Sequence, residues 1–182
     1  MNTGSKRKKR KDHRLQILQR YNKERQRNIL ARPGIFPFIL VLDNLKAGYN
    51  VAKIFRSAEA FSAREIHLIN IDVFDPAPAK GAMRKVPARF FENFSESYTC
   101  LSERGYHPFV LEPGCEKILP AQRLPEKSAF ILGHEEHGFS FDPNDYPQMD
   151  CLAIPQHGQI QSLNVSIAAS IVMYEYTRQF NP

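Results

Sequence analysis

Apolar side chains along this sequence gather in short continuous runs that alternate with segments of helical period. Residues 38–42 read FILVL, five apolar positions in a row, the mark of a strand buried on both faces. Residues 50–61 carry apolar positions at helical spacing, 65–71 return to strand character, and 72–81 form a Pro-rich loop. Residues 88–91 are a short strand candidate, and Ser95 is the expected N-cap of a helix that runs to about Arg104 and ends at Gly105. Further strands are expected at 107–111, 128–132 and 151–154, before a long closing helix over 164–178 that contains neither Gly nor Pro. The alternation predicts an α/β fold, a mostly parallel sheet with helices on both faces.

Two helices stand out from this pattern. In the closing helix, Val165, Ala168, Ala169 and Val172 mark one apolar stripe while Ile167, Ile171 and Tyr174 mark another. One stripe covers a core, so the second is read either as a subunit interface or as deep burial. Near the start, residues 12–29 lack Pro and Gly, and Leu15, Leu18 and Tyr21 recur every third position, which predicts a modestly amphipathic helix capped by Asp12. Pro33-Gly34 then interrupts the chain, which divides it into an N-terminal extension, residues 1–34, and a compact domain, residues 35–182.

Charge sharpens that division. The formal net charge is +6, but residues 1–32 hold twelve Lys or Arg against two acidic groups, so the remainder is net negative. Such a block gains by neutralising phosphates, which points to a nucleic-acid partner. The apolar runs are far shorter than the roughly 20 residues needed to span a bilayer, and the basic N-terminus has no apolar segment behind it. Cys100, Cys115 and Cys151 are odd in number and widely spaced, which argues against a disulfide framework and for a reducing compartment, hence a cytoplasmic address.

Familiar nucleotide and hydrolase signatures are absent: there is no G-x-G-x-x-G, no phosphate-binding G-x-x-x-x-G-K-[ST] and no G-x-S-x-G. His134-Glu135-Glu136-His137 spaces its histidines by three, not the four of H-E-x-x-H, so no metal is expected. Three polar segments do sit just beyond expected strand ends, where open α/β sheets carry function. Asn50 to Glu59 opens the first domain helix and contains Arg56; Gly133 to Gly138 presents Glu135 between glycines; Ile154 to Ser166 leads into the closing helix, with Ser162 or Asn164 as its cap.

Taken together, these segments resemble the three motifs of the SpoU (TrmH-like) branch of the SPOUT RNA methyltransferases, over most of the chain from about Phe36 to Tyr176. The run Ser162-Leu163-Asn164-Val165-Ser166 is the most specific, Gly133-x-Glu135-x-x-Gly138 matches the second motif, and Asn50 with Arg56 matches the first. Ala52 and Ser62 stand where the family commonly has Gly. The resemblance implies a C-terminal trefoil knot, an S-adenosylmethionine cofactor and transfer of its methyl group to a ribose 2′-hydroxyl of RNA. It implies that Leu111, Leu132, Gly133, Ile154 and Leu163 hold the cofactor, and that Arg56, Asn50, Glu135, Ser162 and Asn164 form the reaction centre of a homodimer. Arg56 is either the group that removes the hydroxyl proton or a clamp on phosphate and developing oxyanion. The absence of a sizeable N-terminal RNA-binding domain tilts the substrate toward tRNA over rRNA. The competing class is a non-catalytic RNA-binding or assembly factor that keeps the fold.

Overall fold

A computed structural model describes residues 3–46 and 48–180. Its centre is a seven-stranded sheet in the order β3-β2-β1-β6-β4-β7-β5, formed by β1 (Phe36–Asp43), β2 (Ala63–Ile69), β3 (Ala88–Phe91), β4 (His107–Leu111), β5 (Lys117–Ile118), β6 (Ser128–Leu132) and β7 (Asp150–Ala153). Every pairing is parallel, for example Leu40 with Ile66 on one side and Phe130 on the other. The helices are α1 (Thr3–Asn28), α2 (Tyr49–Ala60), α3 (Phe94–Glu103) and α4 (Val165–Phe180).

The unbroken apolar run of β1 follows from burial on both faces of the sheet. Phe38, Leu40 and Leu42 join one core with α2 and α4, while Ile39 and Val41 join a second core with Phe94 and Leu101 of α3. In α2, Val51, Ala52, Ile54, Phe55 and Ala58 are buried, the spacing that one helix face requires. The expected strands 88–91, 107–111 and 128–132 coincide with β3, β4 and β6. β2 ends two residues early because Asn70 turns at φ 48° and donates its side-chain amide to Asn44.

Several expectations need correction. Asn93, not Ser95, caps α3: its side chain accepts from Glu96 N at 3.1 Å, and Glu96 in turn accepts from the backbone N–H of Glu92. Asp12 does not cap α1, which begins at Thr3. The boundary drawn at Pro33-Gly34 falls inside a packed unit. Tyr21 is buried against Phe74 with ring centroids 5.2 Å apart, and the buried Asn28 donates to the carbonyls of Met83 and Val86 and accepts from Ala88 N. Gly34 itself packs so closely on Ser62 that a Cβ would lie 2.1 Å from its carbonyl oxygen. Ser62 adopts φ 52°, which accounts for the glycine common at that position in the resembled family, and its hydroxyl accepts from Ile35 N.

Cys115 and Cys151 form a disulfide, contrary to the expectation of unpaired thiols. They lie 36 residues apart, but parallel pairing sets Cys151 opposite Val110 of β4, and Cys115 follows that strand by a few residues. Among the described residues no helix is long and apolar enough to cross a membrane.

A line of polar side chains is buried beneath α3. With the Glu65 carboxylate accepting from His67 Nε2–H at 2.9 Å, the unprotonated Nδ1 of neutral His67 accepts from Ser97 Oγ–H at 2.8 Å. Although this pairing of serine, histidine and carboxylate resembles a hydrolytic relay, Ser97 is fully buried and closed to substrate. Arg104 completes the network by donating to Glu65.

Candidate active site

The parallel sheet delivers the loops after β4, β6 and β7 to one edge, where they enclose a cavity of about 420 Å³. Its apolar lining includes Leu111, Leu132, Ile154 and Leu163, with Gly133 beside them; Glu112, Glu135, Gln156, Ser162 and Asn164 supply polar groups. All five residues expected to hold a cofactor therefore line one space.

Three sequence-distant motifs meet at the rim. Asn50, on the first turn of α2, donates from Nδ2 to Glu135 Oε1 at 2.8 Å, and Asn164 Nδ2 donates to Asn50 Oδ1 at 3.3 Å. Asn164 has a second task as cap of α4, accepting from Ser166 N at 3.0 Å and from the Ser166 hydroxyl at 2.6 Å. Of the two candidate caps, Asn164 is the one used, and Ser162 remains exposed on the cavity wall.

The loop that carries Glu135 is a closed turn. His134 and Gly138 exchange backbone hydrogen bonds of 2.7 and 2.9 Å, Gly138 sits at φ 72°, and a Cβ on Gly133 would lie 2.8 Å from the carbonyl of Gly138. His134 Nδ1 accepts from the backbone of Glu136 and His137, and the two imidazoles stack at 4.6 Å. These histidines stabilise the turn. No cluster of His, Cys, Asp and Glu fit for a metal occurs among the described residues.

Sequence reasoning missed Asp43. This fully buried carboxylate, at the end of β1, accepts from Ser140 N at 2.6 Å and Ser140 Oγ at 2.7 Å, so it anchors the far end of the Glu135 loop. Burial raises its pKa against the pull of those two bonds. An acidic residue closing an apolar strand was the only signal available.

Arg56 is not brought into this cluster. It is exposed on the outer side of α2 with Tyr49, Lys53 and Ala60, and it makes no hydrogen bond or ion pair with the described residues. Glu135 is engaged instead by Asn50 and, at 3.4 Å, by Lys46 N.

The chain as a whole matches a known class. The model of the SpoU rRNA Methylase family matches residues 37–174, and the chain belongs to that family, in the SpoU branch of the SPOUT RNA methyltransferases. It is 30% identical over 151 residues to an uncharacterized tRNA/rRNA methyltransferase of Synechocystis sp., covering 79% of this chain and 38% of that one. A 77-residue stretch is 45% identical to a tRNA (guanosine(18)-2′-O)-methyltransferase of Mus musculus, covering 41% of this chain and 5% of that protein. Among solved structures, the TrmH/SpoU tRNA modifying enzyme of A. aeolicus superposes with a TM-score of 0.71 at 21% identity, covering 90% of this chain and 83% of that one. The chain spans 38% to 63% of the length of the first three curated relatives.

Proposed function

We propose that this chain is an S-adenosylmethionine-dependent RNA methyltransferase acting on a ribose 2′-hydroxyl, as a homodimer, with tRNA as its substrate. The observation that carries the reading is the meeting of Asn50, Glu135 and Asn164 at the mouth of a cavity lined by Leu111, Leu132, Gly133, Ile154 and Leu163. Its volume of about 420 Å³ falls within the roughly 300 to 1,000 Å³ of small-molecule sites.

The residues present fit the cofactor. Gln156 lines the cavity with its Oε1 buried and lacking a partner among the described residues, an acceptor suited to an N–H of adenine or of the methionine moiety. Gly133 brings backbone close to the cavity where no side chain has room. When bound, S-adenosylmethionine supplies an electrophilic sulfonium methyl, so the protein contributes alignment and charge stabilisation. Asn50, Glu135 and Asn164 fix the loops against one another, and Ser162 donates locally to substrate. Arg56 clamps the neighbouring phosphate and stabilises charge on the attacking oxygen, since a guanidinium stays protonated in proteins, and the hydroxyl proton passes to phosphate or water.

The position of Arg56 supports a role across a dimer. The second stripe of α4 is uncovered, with Ile167 and Tyr174 51% and 59% exposed, and α2 runs beside it through Ser57–Ser170 and Phe61–Tyr174 contacts. A partner seated on this face lies next to Arg56. The trefoil knot is part of the same proposal, supported by the insertion of β6 between β1 and β4 and by the passage of residues 154–164 over the cavity into α4. The tRNA preference rests on the 45% stretch shared with the mouse tRNA enzyme. The Cys115–Cys151 link removes the cysteine argument for a cytoplasmic address.

Calorimetric titration with S-adenosylmethionine, followed by methyl transfer to separated tRNA and rRNA pools, tests the reading. Arg56→Ala is expected to abolish transfer while keeping cofactor affinity. Saturable RNA binding without any cofactor binding would instead favour a non-catalytic assembly factor.

A further inference from the structure

A second cavity, about 520 Å³, lies between α1 and the start of α2. Arg14, Ile17 and Leu18 form one wall, on a single face of α1; Tyr49, Val73 and Phe74 form the other. Gly48 and Asp75 complete the lining, and the Asp75 carboxylate is neutralised by a neighbouring cation. Arg20 donates to Asp75 at 2.9 Å, and the buried Tyr21 packs edge-on against Phe74. Yet the mouth is apolar and open: Tyr49 is 64% exposed and Val73 43%. An exposed aromatic ring here sits beside a cation, on a helix whose flanking sequence is strongly basic.

Tyr49 immediately precedes Asn50, whose amide reaches Glu135 at the rim of the proposed cofactor cavity. The second cavity and the proposed reaction centre therefore share the first turn of α2. A flat, partly apolar group attached to an anionic chain satisfies all of these features together. The aromatic and aliphatic walls take the flat group, Arg14 takes the adjoining negative charge, and the basic helix takes the rest of the chain.

We propose that the cleft between α1 and the start of α2 is a subsite for one unstacked nucleobase of the RNA, which stacks on Tyr49 while Arg14 contacts its phosphate. The proposal rests on the methyltransferase reading above. It makes α1 part of substrate selection, because the cleft accepts a base only where the RNA is single-stranded or can be opened next to the methylated nucleotide.

The test measures fluorescence anisotropy of a fluorescein-labelled single-stranded RNA oligonucleotide with the full chain and with Tyr49→Ala, Tyr49→Phe and Arg14→Gln. Tyr49→Ala is expected to weaken binding by about fivefold or more, and Tyr49→Phe to stay within about twofold of the parent, because stacking needs the ring and not the hydroxyl. Arg14→Gln is expected to weaken binding and lower the slope of log affinity against log salt by about 0.7, the loss of one single-strand phosphate contact. Thermal midpoints and S-adenosylmethionine affinities of the variants should match the parent, since both side chains lie on the surface. Unchanged RNA affinity in Tyr49→Ala overturns the subsite, as does an equal loss in Tyr49→Phe. Dissociation of a dimer by Tyr49→Ala, with RNA affinity intact, assigns the cleft to a protein contact and overturns it too. A parent that transfers methyl groups while Tyr49→Ala loses nothing refutes only the subsite, whereas a parent that binds no RNA refutes the methyltransferase reading as well.

Discussion

Replacing Asn28 by Ala removes one buried side chain that serves three backbone groups. Its amide donates to the carbonyls of Met83 and Val86, the second at 2.7 Å, and its oxygen accepts from Ala88 N at 3.0 Å. Each bond contributes about 0.5 to 1.5 kcal/mol net, so the loss is expected to be about 3 kcal/mol. For a domain of this size, that corresponds to a fall in melting temperature of roughly 6 to 12 °C. Asn28→Asp should be at least as damaging, because a carboxylate keeps the acceptor for Ala88 but faces the two carbonyls without a donor. Circular dichroism on heating, with guanidinium midpoints as a second measure, gives the comparison. A shift below about 2 °C for both variants would show that α1 is an appendage and that Asn28 contributes little. The same reasoning separates two truncations: removal of residues 1–10 should flatten the salt dependence of RNA binding and leave stability alone, while removal of residues 1–32 also deletes Tyr21 and Asn28 and should destabilise the whole domain.

Three further outcomes follow from the site and the core. Gly133→Ala forces a methyl group against Gly138 and Phe139, so it should open the His134–Gly138 turn and weaken S-adenosylmethionine binding by at least about tenfold, the equivalent of losing one to two backbone bonds, measured by calorimetry. Cys115→Ser removes a cross-link that closes a 36-residue separation and should cost about 3 to 4 kcal/mol in denaturant unfolding; treatment of the parent with a thiol reductant should reproduce the loss, and equal stability of oxidised and reduced protein would refute it. Burial alone raises the Glu65 carboxyl, but bonds from His67 and Arg104, with the Arg104 charge, outweigh it and hold the group at about 2. Because the folded value lies below the unfolded one, the stabilisation is fully present above pH about 4.5 and is lost as the pH falls toward about 2. Burial lowers the pKa of His67, so its loss runs in the same sense, beginning as the pH drops below the ordinary histidine range. Glu65→Gln should remove the carboxylate part of this acid sensitivity, and an unchanged acid-unfolding profile would contradict it.

Residues whose partners are set by periodicity or by local loop chemistry were legible in the sequence. β1, β4 and β6 are flagged by apolar runs because they are buried on both faces, and the Gly133 and Asn164 segments are flagged by turn and capping residues that their backbones require. What escaped depends on long-range placement. The docking of α1 hangs on Tyr21, the one buried member of a stripe whose Leu15 and Leu18 stay exposed, and on Asn28, a residue unremarkable in a basic helix. β5, only two residues long, exists because β7 offers it an edge. Ser95 and Asn93 are both good caps, and only the backbone, extended at Asn93, decides between them. The pairing of Cys115 with Cys151 follows from the β4–β7 register, which no local pattern encodes. Arg56 matches its motif by spacing, but spacing cannot show that α2 turns it outward.

The most direct test of the central claim is nucleoside mass spectrometry on RNA incubated with the full chain and S-adenosylmethionine carrying a labelled methyl group. The account predicts that the label appears on a ribose 2′-oxygen in the tRNA pool, and that Asn164→Ala and Glu135→Ala each reduce it sharply. Label on a base, or none in either RNA pool from a protein that binds the cofactor saturably, would contradict it.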